Sequence, residues 1–305
     1  MMRITPTEFR GGGALTLATG ALELTVTTAV GPRVVSFRRP RSRNVFLELP
    51  ADEKRCHGLY LRGGHRLWHA PEDIVRTYQP DDEPLAVRRL RRGVALTAPP
   101  EKLTGLQKAM AIEFAGERTV VVTHTLANRG RRAVACAPWA VTMLRAGGYG
   151  VLPLLPKGSH ERGDLLPEYA LVPWSYTDLS LPLWDLHRDF IGLDVRQAKS
   201  AQKLGFTRYP GWSAYWLEGM TFVKFTKLVR GAAYPDQGSA FETFTNGAML
   251  EFETLGPLGR LAPGRKFVHV EYWTLIPGLP RPDTDRAFRR SLAPAVKAWL
   301  AGLKP

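Results

Sequence analysis

Two carboxylates stand two residues apart in the stretch Met249–Leu275, which reads MLEFETLGPLGRLAPGRKFVHVEYWTL. In an extended chain, residues two apart share a face. Met249, Glu251 and Glu253 therefore point one way, and Leu250, Phe252 and Thr254 the other. Two carboxylates on one face repel unless water, cations or hydrogen bonds compensate them. Confined together they suit acid–base chemistry, because one is then driven to keep its proton. The plainer reading is a solvated strand face. Turns at Gly256-Pro257 and Pro263-Gly264 lead to a second alternating run. There Val268, Tyr272 and Thr274 share one face, and His269, Glu271 and Trp273 share the opposite one.

A second concentration of reactive side chains lies in residues 50–85. It holds His57, Arg62, His65, Arg66, Trp68, His69, Glu72, Asp73 and Tyr78, then Asp81-Asp82-Glu83. Periodicity is poor here, and long irregular segments in compact domains are often functional loops. His65 and His69 form an H-x-x-x-H pair with Glu72 nearby, a spacing that binds zinc on a helix. Gly63-Gly64 and Pro71 argue against a helix. Arg66 occupies the position of the glutamate in H-E-x-x-H, and its charge opposes a metal, so no metal site is expected. Trp68, in this polar segment, could stack on the C–H face of a sugar ring while His, Arg and carboxylates bind its hydroxyls. The other aromatics, among them Trp139, Trp174, Trp212 and Trp273, read mostly as core. Cys136 reads as a packed thiol and His124 as a structural histidine.

No P-loop, dinucleotide fingerprint or G-x-S-x-G elbow is present, so no cofactor is expected. The chain has 305 residues, is 44% hydrophobic and can bury a sizeable core. Its formal charge of +14 comes largely from scattered arginine pairs such as Arg88-Arg89 and Arg131-Arg132. They form neither a basic tail nor a nucleic-acid motif, so no nucleic-acid partner is expected. Two cysteines, Cys56 and Cys136, imply no disulfide framework. The N-terminus lacks a secretory apolar core, and no run of about 18 apolar residues occurs. The expectation is a cytoplasmic protein without a membrane span, with a small molecule as its partner.

Short alternating runs punctuated by turns imply an antiparallel sandwich. Strands are expected within 14–39, at 44–49, 87–90, 94–97, 107–114 and 119–126. A hairpin turn is expected at Asn128-Arg129-Gly130, and a long apolar run follows at 133–144. Residues 151–212, rich in Pro and Trp, read as a long irregular excursion. Residues 283–303 read as a helix that Pro294 should break or kink.

The segment GAMLEFETLGPLGRLAPG resembles the C-terminal part of the aldose 1-epimerase, or galactose mutarotase, family. VGPRVVSFRRPRSRNVFLEL resembles that family's N-terminal hairpin, and ANRGRRAVACAPWAVTMLRAGG its middle strand pair. The resemblance implies an all-β fold, a large antiparallel β-sandwich of the galactose mutarotase-like supersandwich type with a short C-terminal helix. One domain would span 1–305. It also implies interconversion of sugar anomers without a cofactor, a glutamate taking the anomeric proton and a histidine protonating the ring oxygen. Glu251 matches the basic glutamate, with Glu253 as alternative. His65, or His69, would be the acid, because Trp139 stands where the family has its acid histidine. Arg62, Arg66, Trp68, Trp139 and Glu271 would bind substrate. A non-catalytic sugar-binding module and a scaffold role on the same fold are the alternative expectations.

Overall fold

The structure is a computed structural model and describes residues 2–303. The alternating runs form twenty-one strands among those residues. The first nine are β1 (Arg3–Phe9), β2 (Gly12–Ala18), β3 (Glu23–Thr27), β4 (Arg33–Arg38), β5 (His65–Ala70), β6 (Ala86–Leu90), β7 (Gly93–Thr97), β8 (Leu106–Phe114) and β9 (Val120–Asn128). There follow β10 (Val134–Arg145), β11 (Tyr149–Pro153), β12 (Leu171–Pro173), β13 (Trp184–Leu186), β14 (Phe190–Asp194), β15 (Gln202–Phe206) and β16 (Trp212–Leu217). The last are β17 (Met220–Thr226), β18 (Phe241–Thr245), β19 (Met249–Leu255), β20 (Gly259–Leu261) and β21 (Lys266–Pro277).

They build two large antiparallel sheets. The first runs β1-β2-β3-β4-β5-β10-β19-β18-β15-β12, with β20 added to β10. The second runs β13-β14-β11-β16-β17-β21-β9-β8-β7-β6. One face of each sheet contributes to a shared apolar core, including Leu24, Phe37, Leu67, Leu144, Leu250 and Phe252 from the first and Met110, Val122, Phe222 and Trp273 from the second. Phe37, Phe46, Phe222 and Trp273 meet edge to face or tilted at 5.6–6.1 Å between ring centroids, the geometry that aromatic quadrupoles favour.

The two outer faces are covered differently. A C-terminal helix, α1 (Ala293–Ala301), with the turns before it, lies on the second sheet. Phe288, Leu292 and Val296 pack there against Tyr149, Phe190, Trp212 and Val223. The outer face of the first sheet is covered by irregular segments carrying Leu59, Tyr78, Tyr234 and Leu258.

Several expectations need correction. Residues 151–212 are not an excursion: β12, β13, β14 and β15 lie within them and extend both sheets. Their strands are three to five residues long and interrupted by prolines, so no alternation long enough to read is left. Residues 44–49 make only isolated bridges, Phe46 to Leu144 and Glu48 to Gly63. Asn128-Arg129-Gly130 is no hairpin, because β9 and β10 lie in different sheets. Asn128 instead ties the crossing chain, donating from Nδ2 to the carbonyls of Arg132 and Leu261, each at 2.8 Å. Pro294 does not break the terminal helix. Residues Phe288–Leu292 form a π turn just before it, and Pro294 sits in the first turn of α1, where its missing N–H costs nothing.

Candidate functional site

Alternation places two polar clusters on opposite sides of the first sheet. On β19, Glu251 and Glu253 point outward, and Leu250 and Phe252 point into the core between the sheets. Strand pairing then sets the outward rows. One row is Trp68, Trp139 and Leu255. The next is Arg66, Val141, Glu253, Glu242 and Gly205. The third is Met143, Glu251, Phe244 and Lys203.

In the outer cluster, Lys203 Nζ lies 2.9 Å from Oε2 of both Glu242 and Glu253. Trp139 Nε1 donates to the same Glu253 oxygen at 2.8 Å. The ammonium sits 4.8 Å from the ring centres of both Trp139 and Trp174, within cation–π range. Arg66 Nη2 donates to Glu251 Oε1 at 3.1 Å, and its guanidinium lies 3.9 Å over Trp68. Gly205 leaves room for the cover, since a Cβ there would come within 2.3 Å of Ser239 Oγ and 3.3 Å of Trp174.

Three carboxylates face two cations here, so the cluster accommodates a proton. Burial, then the charges of Glu253 and Asp236, push the Glu242 carboxyl well up despite Lys203. Burial raises Glu251 too, opposed by Arg66. For Lys203, burial alone would lower the ammonium, and Glu253 and Glu242 more than reverse that. Arg66 Nε and Nη1 donate no directed hydrogen bond within the protein, and Glu253 Oε1 accepts none. Buried groups of this kind are normally satisfied by water or a ligand. The cluster is closed over: Glu253 is 0% exposed, Glu242 1% and Glu251 8%.

The inner cluster holds the expected acid, His65. Its Nε2 lies 2.7 Å from His124 Nε2, and its Nδ1 lies 2.8 Å from Thr142 Oγ1. Lys224 Nζ donates to Thr142 Oγ1 at 2.9 Å and to the carbonyls of Ala140 and Phe252 at 3.1 Å. It also pairs with Glu271 Oε1 at 2.8 Å. His124 Nδ1 is 3.0 Å from the His269 carbonyl and can only donate to it. The protons then follow without conflict. Lys224 donates to Thr142, Thr142 to His65 Nδ1, His65 Nε2–H to His124 Nε2, and His124 Nδ1–H to His269 O. Glu271 additionally accepts from Thr254 Oγ1, and from Trp273 Nε1 at 2.9 Å. Burial above all holds His65 well below the usual histidine range, and His124 and His269 at about 3.

This geometry corrects the sequence-based pairing. His65 faces the interior of the sandwich and Glu251 the opposite side of the sheet, so the two cannot act on one substrate. His69 also points inward, its Nε2 3.9 Å from Glu101 Oε2, and burial lowers it to about 4. Glu271 is interior and 0% exposed, not beside Glu251. Arg62 is committed elsewhere, donating to Asp81 Oδ1 at 2.8 Å and to Asp82. Arg66, Trp68, Trp139, Glu251 and Glu253 do come together. Trp68 lies on a strand, not in a loop. Lys203 and Glu242 were missed, and the Q-K-L-G-F and F-E-T-F-T runs that carry them alternate in strand fashion.

Donor atoms of His65, His124 and Glu271 lie within 4.8 Å of one another, a spacing open to a metal ion. The residues fit one poorly. Lys224 already balances the Glu271 charge, and a dication would have to break the His65–His124 hydrogen bond while adding uncompensated charge to a dry core.

No protein-family model matches the chain, and no curated protein matches it. Solved structures do. A galactose mutarotase-like protein from Clostridium acetobutylicum superposes with a TM-score of 0.61 at 10% identity, covering 90% of this chain and 99% of that one. A galactose mutarotase-like protein from Lactobacillus casei gives 0.59 at 8% identity, covering 87% and 100%. A TPR-domain containing protein from Parabacteroides distasonis gives 0.59 at 14% identity. There 88% of this chain matches 48% of that one, so the chain spans about half the length of that relative. The fold is a galactose mutarotase-like sandwich.

Proposed function

We propose, with the galactose mutarotase-like fold as premise, that the outer face of the first sheet binds a sugar and interconverts its anomers. One observation carries this reading: Glu242, Glu251 and Glu253 share that face with Arg66 and Lys203, flanked by the indoles of Trp68, Trp139 and Trp174. Indole faces suit the C–H patches of a pyranose, and charged groups suit its hydroxyls. The unsatisfied atoms of Arg66 and Glu253 supply hydrogen-bonding capacity that a polyol would use.

Acid–base chemistry needs one carboxylate able to accept a proton and one carboxyl able to give one. Glu251, the most accessible of the three, takes the proton from the anomeric hydroxyl. Glu242, kept protonated by burial and by its carboxylate neighbours, gives its proton to the ring oxygen as the C1–O5 bond breaks. The open-chain aldehyde rotates about C1–C2 and recloses with the proton movements reversed. Glu242 thus fills the role for which His65 was expected.

The cover over the face must move to admit a sugar, and that closure favours a second reading, binding without turnover. Proton exchange spectroscopy on a panel of aldoses separates the two. Accelerated exchange between α and β anomeric signals, abolished by Glu251→Gln and by Glu242→Gln, is the expected result. Saturable sugar binding without exchange would leave a binding module. Full exchange activity in Glu251→Gln would sink the assignment of the base.

A further inference from the structure

A cavity of about 920 Å³ opens at the edge of the sandwich, between the loop Thr207–Gly211 and the segment that follows β17. Its size falls within the range of about 300–1,000 Å³ typical of small-molecule sites. Arg208, Lys227 and Arg230 line it, and no acidic residue does. Arg208 is tied to Glu168, 3.7 Å from its carboxylate and donating to its carbonyl at 3.3 Å, with both side chains about half exposed. Lys227 and Arg230 have no acidic partner among the described residues. Three aromatic residues share the lining with these cations, Phe225 and Tyr234 half-buried and Tyr209 buried.

The cavity is built, not a gap between loose loops. Tyr209 is 4% exposed and packs on Phe241 at 5.0 Å between ring centroids. Gly211, at φ +88°, lets the loop approach β17 so closely that a Cβ would lie 2.7 Å from the Thr226 carbonyl. Thr226 N–H donates to the Gly211 carbonyl at 2.8 Å. Across the mouth, Val229 N–H donates to the Tyr234 hydroxyl at 3.0 Å. The cations are thereby carried on a backbone of defined shape.

We propose that this cavity binds an organic phosphate with a planar, apolar body, of about nucleoside monophosphate size. Lys227 and Arg230, without acidic partners among the described residues, attract a dianion, and phosphate gains the most because Arg and Lys donate to several of its oxygens at once. The partly exposed rings of Phe225 and Tyr234 offer a planar body a stacking surface. The inference does not rest on the sugar reading. The turn Tyr234–Gly238 separates the two places, with Asp236 beside Glu242 and with Tyr234, Gln237 and Gly238 lining the cavity.

The test is calorimetric titration of the full chain with adenosine monophosphate, adenosine, inorganic phosphate and indole-3-acetate, at low and at physiological salt. The expected result is saturable binding of adenosine monophosphate that weakens with salt. Adenosine and inorganic phosphate should each bind more weakly than the whole molecule. The double variant Lys227→Ala/Arg230→Ala changes two exposed side chains and keeps the fold. It should lose about tenfold in affinity. Absence of saturable binding, or equal affinity in the double variant, would overturn the proposal. Tighter binding of indole-3-acetate than of adenosine monophosphate would overturn the choice of phosphate. Intact anomer exchange in the double variant would show that this failure or success is independent of the site on the sheet face.

Discussion

Glu271→Gln is the most informative single change in the interior. In the native protein the Lys224 ammonium, fully buried, meets one charge and three neutral acceptors. Replacing the carboxylate by an amide leaves the neutral acceptors and removes the counter-charge in direct contact. It also sets an NH2 group against Lys224 or against the Trp273 N–H. Breaking a buried pair in this way costs about 3–5 kcal/mol. Lysine chemistry sets the ceiling, because releasing the Lys224 proton at pH 7 costs about 5 kcal/mol relative to an unfolded lysine. Burial already lowers Lys224, opposed chiefly by Glu271, so the variant should approach that ceiling. Adding Lys224→Met removes the stranded charge, and the double variant should recover about 2 kcal/mol of the loss. The sign with pH is also set. A lysine whose folded pKa is depressed loses stability as pH falls below its unfolded value, so the Glu271→Gln penalty should shrink between pH 7 and pH 10. Guanidinium denaturation followed by circular dichroism and by tryptophan fluorescence measures all three quantities. A Glu271→Gln cost under about 1 kcal/mol, or the same cost with Met at position 224, would refute the account.

The buried histidines make the fold acid-sensitive. His65, His69, His124 and His269 are all held neutral in the folded state, at about 4 for His69, about 3 for His124 and His269, and well below 6.5 for His65. Unfolding lets each bind a proton, so stability is complete above pH 6.5 and is lost as pH falls from there. Glu242, Glu251 and Asp236, all raised, act in the opposite sense. Each proton bound in excess by the unfolded chain costs about 1.4 kcal/mol per pH unit, so stability should fall between pH 6 and 5. A flat stability profile from denaturation midpoints over that range would count against it. Trp139→Phe removes the N–H donated to Glu253 and should cost about 1–2 kcal/mol in stability by denaturation and slow the anomer exchange. Gly205→Ala drives a methyl into Ser239 and Trp174, and should lower stability by about 1–3 kcal/mol with a change in tryptophan emission.

Local pattern in the sequence carried the fold class and the faces of single strands. Glu251 and Glu253 do share a face, as do His269, Glu271 and Trp273. Sheet membership is set by pairing between distant segments, which alternation does not encode. β19 and β21 therefore looked like neighbours in one site, although they lie in different sheets with their polar faces apart. β5 was hidden for another reason. All six of its residues are buried, with polar and aromatic groups on both sides, so it lacks the apolar-in, polar-out contrast by which strands are recognised. Lys203 and Glu242 were hidden by distance, since they meet Glu253 only through the pairing of β15 with β18 and of β18 with β19.

The strands β10 and β19 carry side chains of both clusters. Thr142 and Thr254 face the lysine network, and Val141 and Glu253, one residue away, face outward. Lys224 reaches across from the other sheet to the backbone carbonyls of both strands. The interior network therefore acts as an anvil, holding from behind the two strands that carry the outward carboxylates. The segments laid over the face, which carry Tyr78, Trp174 and Tyr234, lie outside that network. Under the proposed sugar reading, exchanging that cover alone would change which sugar is admitted, with the anvil left in place.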